Sequence, residues 1–455
     1  VGPDTSIREA ARRMSETGAT AVVVELRDDG LGILTDRDLR TRVVAAGVAG
    51  DAPVSAVMTA PAYVVAPDRL GGGVLLEMLD RGVRHFPVLS ARGEVIGVIA
   101  DIDLIAVETR NSFYVRRLVA AADTLAELGA ATAQINPMIV ALHDSRLAAT
   151  SISAIYSVVL DAITRRLVEL AIADLGEPQS PFALLALGSH ARRESVPSSD
   201  LDSAIVWYGA ADPATIRPEL QAIGGRVVEG AAACGFRPDA HGINAGDERV
   251  VRSDESWRRV ARSWMHDTTQ EQALILVSVF VDSRPVWGIS SGPPVAGEFE
   301  LAPQHPALLR LLARYALSYR PPTGFLRGLV VEHSGERRGQ LDLKHGGIIP
   351  IVDLARWAAM SAGVTSTSTE ERLRAARHAG TLAGEHVQSL IDAYELIVSL
   401  RLEHQIEALT RGEPPDDYIA PAELSPLTRS YLKESFRAIA AAQKHVAAGL
   451  LGPPP

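Results

Sequence analysis

The 455-residue chain is predicted to be a multidomain protein of α/β and all-α parts: a tandem pair of small α/β repeats, a helical connector, a second α/β domain and a helical C-terminal domain. Three observations carry that reading. The first hundred or so residues contain an internal repeat with a period of 64 to 65. Residues 182–207 read as two apolar strands separated by a Gly-Ser turn and an Asp-x-Asp pair. From residue 306 onward, long Ala/Leu/Arg-rich segments keep a helical period.

In the repeat, Pro3-Asp4 recurs as Pro67-Asp68, Met14 as Met78 and Gly18 as Gly82, each 64 positions on. After one extra residue in the turn, Gly32-Ile33-Leu34-Thr35-Asp36-Arg37-Asp38-Leu39 recurs 65 positions on as Gly97-Val98-Ile99-Ala100-Asp101-Ile102-Asp103-Leu104. Each copy predicts an amphipathic helix (7–17, 74–81), a strand (21–26, 86–89), a polar Gly-containing turn, then a second strand and helix. One copy is too small to bury its own sheet well, so two copies are expected to pack face to face. These residues resemble a CBS-domain pair, tandem βαββα modules spanning 1–110 that often hold adenine nucleotides. The resemblance implies a nucleotide contact at Thr35 and Asp38, hydroxyl to phosphate and carboxylate to ribose. Ala100 replaces that hydroxyl ahead of Asp103, so the second site is expected to be weaker or empty. It also implies a homodimer formed through the pair. Residues 54–65 read as a strand ahead of repeat two that repeat one lacks, and the chain starts at Val1 rather than Met. The first module is therefore expected to be truncated and the sequence to be a fragment.

Residues 111–178 are expected to form the helical connector. Leu118, Ala121, Ala122, Leu125 and Leu128 fall on one helical face and Ile152, Ile155, Tyr156, Val159 and Ile163 on another. The Gly176-Glu-Pro-Gln-Ser-Pro181 run closes it. Residues 179–300 then predict an α/β domain with strands at 182–187, 201–207 and 273–282 and helices at 190–195 and 216–234. Residues 301–451 predict helices at 308–319, 350–362, 369–378, 384–410 and 426–448.

The chemistry concentrates in 187–202. Gly188-Ser189 stands where a strand turns into a helix, and a turn without side chains there lets a phosphate approach backbone amides. Asp200 and Asp202 open the next strand at i and i+2, which puts both carboxylates on one face, ~6–7 Å apart along the strand. That span suits two divalent metals ~3.5–4 Å apart in an in-line phosphoryl displacement. Arg192 offers a forked donor to a triphosphate. A Gly-Ser turn alone is usually just a turn, and an Asp-x-Asp alone a solvated strand end; the two together, between apolar strands, favour the functional reading.

This arrangement resembles the nucleotidyltransferase fold of the polymerase-β superfamily, and more closely the DUF294 nucleotidyltransferases, relatives of the PII uridylyltransferase that often carry CBS pairs. Gly188, Ser189, Arg192, Glu194, Ser199, Asp200 and Asp202 match the family's Gly-Ser-x-x-Arg-x-Glu and Ser/Thr-Asp-x-Asp patterns. The resemblance implies Asp200 and Asp202 as catalytic metal ligands for Mg²⁺ or Mn²⁺, with Gly188, Ser189 and Arg192 binding a nucleoside triphosphate. It also implies a third carboxylate from a later strand. Asp282 is the candidate, equally readable as a strand-end turn residue. Glu194 is expected to orient Arg192 or a backbone amide. The run Leu341-Asp342-Leu343-Lys344-His345-Gly346-Gly347 and the helices after it are similar to the family's substrate-binding-like domain. Asp342 and Lys344 read as an ion pair, the alternative being Lys344 reaching a phosphate across the cleft. Residues 238–244 follow the family only loosely, and His241 there is more often neither ligand nor acid.

Composition bounds the partners. With 47% hydrophobic and 22% charged residues, wholesale disorder is excluded. A net charge of −10 argues against nucleic acid and anionic membrane as partners. The single cysteine, Cys234, excludes an intrachain disulfide and fits the cytoplasm. The apolar run 273–281, the most apolar in the chain, is too short to span a bilayer. The expected function is a metal-dependent nucleotidyltransferase, moving a nucleotidyl group from a triphosphate to an acceptor hydroxyl, a protein being one candidate acceptor, under adenine-nucleotide control. The rival readings are a non-catalytic nucleotide sensor in signal transduction and a dimeric CBS scaffold.

Overall fold

The computed structural model describes residues 1–450 except 27–29, 70, 105–109, 211, 238–242, 267–276, 278–279, 289–295 and 323–336. The chain divides into two compact units, Val1–Arg110 and Asn111–Pro455.

In the first unit, α1 (Ile7–Thr17) begins where the Ser6 side chain accepts from the Glu9 amide and ends at Gly18, whose φ of 66° suits glycine. Ile7 and Ala10 of this helix share a core with Val24, Leu34 and Val54. β1 (Ala21–Glu25) pairs antiparallel with β2 (Leu31–Thr35), and β3 (His85–Leu89) with β4 (Val95–Ala100). α2 (Gly71–Arg81) is the counterpart of α1. The repeat persists at the level of single hydrogen bonds. The Val1 amine donates to Val23 O (2.9 Å), and Val1 O accepts from the Glu25 amide (2.9 Å). Val65, 64 positions on, donates to Pro87 O (3.0 Å) and accepts from the Leu89 amide (2.9 Å).

Residues 54–65 are not the strand that was expected. Val54–Ala56 is a 3-10 turn, and the segment makes only isolated bridges, Thr59 to Ile33 and Val65 to Val88. Pro53 and Pro61 lack the N–H that a continuous ladder needs. The segment serves both repeats, and Val1 fills in repeat one the pairing position that Val65 fills in repeat two.

The second unit is built on a four-stranded sheet of order β7-β6-β5-β8, from β5 (Phe182–Leu187), β6 (Ser203–Trp207), β7 (Val251–Ser253) and β8 (Ser283–Gly288). β5 is antiparallel to both neighbours, and β6 runs parallel to β7. All six residues of β5 are buried, as a continuous apolar run in a central strand requires. One face, with Ala183, Leu185 and Val206, shares a core with Trp257 and Trp264 of α6 (Asp254–His266) and with Phe280, Leu308 and Leu312. On the other, Leu184 and Ala186 line a cavity of about 30 Å³ with Leu167 and Val227, from α3 (Ala149–Leu175) and α5 (Pro213–Ala233).

The strand expected at 273–282 is a second correction. Its residues 273–276 and 278–279 lie outside the described residues, but Val277, Phe280 and Val281 are helical and Asp282 is in a turn. The strand starts one residue later, at Ser283. Phe280 packs on Trp257 and Trp264, with ring centroids 4.2 and 5.8 Å away. Val277 lies three residues earlier in the same core, and a short apolar run does not by itself distinguish that spacing from a buried strand.

The C-terminal helices are α7 (Pro306–Ala316), α8 (Ile349–Ser361), α9 (Thr369–Ala379), α10 (Gly384–Thr410) and α11 (Pro426–Leu450), close to their predicted bounds. Leu354, Leu373, Leu390, Ile397 and Phe436 form their shared core. The connector helices lie in this same compact unit. One stretch among them, Leu125–Asp144, reaches a mean hydropathy of 1.2 over a membrane-spanning length. The stretch is broken into helices Leu125–Thr132 and Ile135–Asp144, with Leu128, Met138, Ile139 and Leu142 buried.

Candidate active site

β5 runs directly into α4 (Gly188–Arg192), a helix of five residues that Arg193 ends in the left-handed region. Gly188 has φ of 57°, and a Cβ there would stand 3.1 Å from Asp202 Oδ2. Both the backbone angle and the contact call for glycine. Asp202 O accepts from the Leu187 amide at 3.0 Å, which holds the aspartate beside the end of β5 although regular β6 pairing begins only at Ser203. Asp200 and Asp202 therefore lie in the approach to β6. Gly188, Ser189, Arg192, Asp200 and Asp202 line one cleft of about 230 Å³.

A buried cluster seats α4. Asp161, on α3, is fully buried; His190 Nε2 lies 2.8 Å from its Oδ1, and Arg284 of β8 donates to both its oxygens at 2.9 Å. Burial opposes the Asp161 charge, but His190 and Arg284 outweigh it and hold the carboxyl well below its ordinary range. Arg284 also donates to Ala191 O (3.2 Å) and His190 O (3.3 Å), so one guanidinium ties strand, connector helix and motif helix together.

Asp282 is not on the cleft. It is 0% exposed, and its carboxylate accepts from Arg192 Nη1, from Arg356 Nη2 (2.6 Å) and from Arg372 Nη1. Burial opposes its charge too, and the three arginines overcome it and keep the carboxyl far below the usual range. The expectation that Asp282 reaches the metals alongside Asp200 and Asp202 is corrected on this ground: three buried cations claim its oxygens. Arg192 lines the cleft but is committed on two sides, with Nε donating to Glu194 Oε2 at 2.6 Å. Burial disfavours this cation as well, while Asp282 and Glu194 keep it protonated. Glu194 also accepts from the Thr369 amide (2.8 Å) and hydroxyl (3.0 Å), joining the motif to the first turn of α9.

The facing wall comes from the C-terminal region and includes Tyr315, Lys344, Asp353, Arg356, Tyr394 and Arg401. Arg401 is bonded to Asp417 (2.6 Å) and to Ser198 (3.1 Å). Asp342 pairs with His345, Oδ2 to Nδ1 at 2.7 Å, and not with Lys344. The expected Asp342–Lys344 ion pair is therefore replaced by the alternative in which Lys344 faces the cleft. The helical segment Lys344–Ile348, wound as a π-helix, starts just after Asp342, and its backbone and His345 ring turn back to the Asp342 carboxylate.

In the first unit, Thr35 and Asp38 are together, but as a reciprocal helix cap. Thr35 Oγ1 donates to Asp38 Oδ2 (2.6 Å), which also accepts from the Thr35 amide (3.0 Å). In repeat two only the backbone half remains, Ala100 N to Asp103 Oδ2 at 2.8 Å.

Sequence reasoning missed Asp161 and Asp353. Both carried a signal: each is an acidic residue inside an otherwise apolar helical run, in Val158-Val-Leu-Asp161 and Ile351-Val-Asp353-Leu-Ala-Arg356. His241 lies outside the described residues. Two cleft carboxylates beside a glycine turn suit a hard divalent cation that completes its shell with phosphate and water. Among the described residues, no group of three or more His, Cys, Asp or Glu converges to hold a metal by itself.

Three families of known proteins match successive parts of the chain. The family described as "Putative nucleotidyltransferase DUF294" matches residues 133–271. The one described as "Putative nucleotidyltransferase substrate binding domain" matches 306–449, and the CBS domain family matches 1–45 and 54–109. An uncharacterized protein of Methanopyrus kandleri is 32% identical over 108 residues, 23% of this chain and 55% of that protein. This chain thus spans about half the length of that relative. A CBS domain-containing protein of Bacillus subtilis is 30% identical over 111 residues, 24% of this chain and 79% of that protein. Among solved structures, a CBS-domain containing protein from Agrobacterium tumefaciens is 34% identical, covering 23% of this chain and 83% of that one, with a TM-score of 0.21.

Proposed function

This chain belongs to the CBS-domain proteins that carry the DUF294 nucleotidyltransferase-like and substrate-binding regions, and on that premise we propose that its cleft moves a nucleotidyl group from a nucleoside triphosphate to an acceptor hydroxyl. The observation that carries the proposal is the sharing of one cleft by Gly188-Ser189, Asp200, Asp202 and, from the C-terminal region, Lys344. Gly188 leaves the backbone open to a phosphate. Among the described residues Lys344 has no acidic partner, so its charge is available to the same phosphates. Arg192, held by Glu194 and Asp282, adds fixed positive potential behind them. Asp200 and Asp202 would hold Mg²⁺ or Mn²⁺, which neutralises triphosphate charge when bound. The acceptor oxygen bonds to the α-phosphorus and pyrophosphate leaves. A protein hydroxyl, uridylylated or adenylylated, is the acceptor class that the PII uridylyltransferase likeness favours.

The first unit supplies the control. An adenine nucleotide binds at Thr35 and Asp38, better than at Ala100 and Asp103, and the CBS pair forms the contact of a homodimer. Non-catalytic sensing is the second reading, favoured by one observation: Arg192 is already committed to two carboxylates. The test is pyrophosphate release from α-³²P-labelled ATP, CTP, GTP and UTP with Mg²⁺ and cell extract. Metal-dependent release with label transfer supports the transferase. Triphosphate binding without release supports the sensor.

A further inference from the structure

Asp353 and Arg356 stand one turn apart on α8, are 5% and 8% exposed, and line the cleft that Gly188 and Asp202 share. Each spends part of its bonding capacity internally. Asp353 Oδ1 accepts from Arg356 Nη1, and Arg356 Nη2 donates to Asp282 at 2.6 Å. Each also keeps one buried atom that makes no hydrogen bond among the described residues: Oδ2 of Asp353 and Nε of Arg356. A buried carboxylate oxygen and a buried N–H without partners are both costly, and such pairs are rare without a purpose. Here an orphaned acceptor and an orphaned donor lie on neighbouring side chains. A hydroxyl is the simplest group that satisfies both, donating to the oxygen while accepting from the N–H. A phosphate would bring like charge against the carboxylate, and an ammonium would leave Nε–H unpaired.

We infer that Asp353 and Arg356 form the acceptor-hydroxyl subsite of the cleft, with Asp353 Oδ2 the base that takes the hydroxyl proton. The inference rests on the transferase reading above. The acceptor oxygen forms its bond to the α-phosphorus as its O–H bond breaks, and the proton passes to Asp353. The bond from the α-phosphorus to the bridging oxygen breaks, and its electron pair leaves on pyrophosphate. Burial first, then the nearby Asp282 charge, hold the Asp353 carboxyl above its ordinary range while Arg356 opposes them. That direction favours a proton acceptor. The assignment also divides the labour: the Gly188 side of the cleft reads the nucleotide, and α8 reads the acceptor.

The full chain and its Asp353→Asn variant are compared in two measurements. One is binding of ATP, CTP, GTP and UTP with Mg²⁺; the other is label transfer and pyrophosphate release with cell extract as the acceptor source. The expected result is binding within about twofold of the parent and transfer lowered by ~10²–10⁴, the usual contribution of a positioned base. Parent-level transfer by Asp353→Asn overturns the inference, because the orphaned atoms then hold only a structural water. Loss of triphosphate binding in a folded Asp353→Asn protein also overturns it, placing the residue on the nucleotide side. A parent that binds triphosphate but never transfers label sinks the transferase reading, and the base with it. Should Asp353→Asn fail to fold, Asp353→Glu keeps the charge but shifts the oxygen by one methylene, and the same split between intact binding and lowered transfer is expected.

Discussion

Gly188 and Asp202 are packed so closely that a Cβ on the glycine would stand 3.1 Å from the aspartate Oδ2. The contact joins the Gly-Ser turn to the Asp-x-Asp pair directly. Gly188→Ala adds that Cβ at a φ of 57°, where a side chain costs about 1–2 kcal/mol. A lowered melting temperature is expected, with Mg²⁺-triphosphate affinity reduced about tenfold or more as Asp202 gives way. Unchanged affinity by calorimetric titration would detach the turn from the aspartate.

Asp200 and Asp202 line the cleft and, unlike Asp282, are partly exposed. Replacing both by Asn is expected to abolish Mg²⁺-dependent triphosphate binding while leaving the protein folded. Titration with and without Mg²⁺, beside a thermal melt, checks both halves. A double variant that binds as the parent does would remove the metal role.

Asp282 predicts the opposite pattern. Asp282→Ala strands Arg192, Arg356 and Arg372 as buried cations, and breaking a buried pair typically costs about 3–5 kcal/mol. Burial opposes its charge, but the three arginines hold its folded pKa far below the ordinary carboxylate value. The stabilisation is therefore present above about pH 4 and is lost as pH falls below it. Asp161, depressed for a similar reason, acts in the same direction. Denaturant unfolding between pH 3 and 7 should show a steeper acid loss for the parent than for an Asp282→Asn variant. Parallel profiles would show that the arginine cage does not control acid stability.

Thr35 and Asp38 form a complete reciprocal cap, whereas Asp103 keeps only its bond from the Ala100 amide. In calorimetric titrations of the whole chain with AMP, ADP and ATP, Asp38→Ala is expected to lose more affinity than Asp103→Ala. Asp38→Ala should also lower stability by roughly 1 kcal/mol, the usual worth of a helix cap. Equal affinity losses in the two variants would separate the hydroxyl from nucleotide recognition.

The sequence by itself determined the repeat, the long helices and the Gly188-Ser189 and Asp200-x-Asp202 pairing, because each rests on local chemistry. Periodicity sets which helix face is buried, and a glycine at a left-handed turn is a property of one residue. It did not reveal which way the run before Ser283 would fold. Val277 and Phe280 satisfy a helix and a buried strand equally well until Trp257 and Trp264 are in place to receive them. Only the tertiary structure decided the fate of the charges. Asp282 reads as a metal ligand until Arg192, Arg356 and Arg372 converge on it from positions 74 to 90 residues away. Lys344 reads as an ion-pair partner until the following turn gives Asp342 to His345. Whether a carboxylate meets a cation, a ligand or water depends on what long-range packing brings within about 3 Å of it, and one-dimensional spacing does not encode that distance.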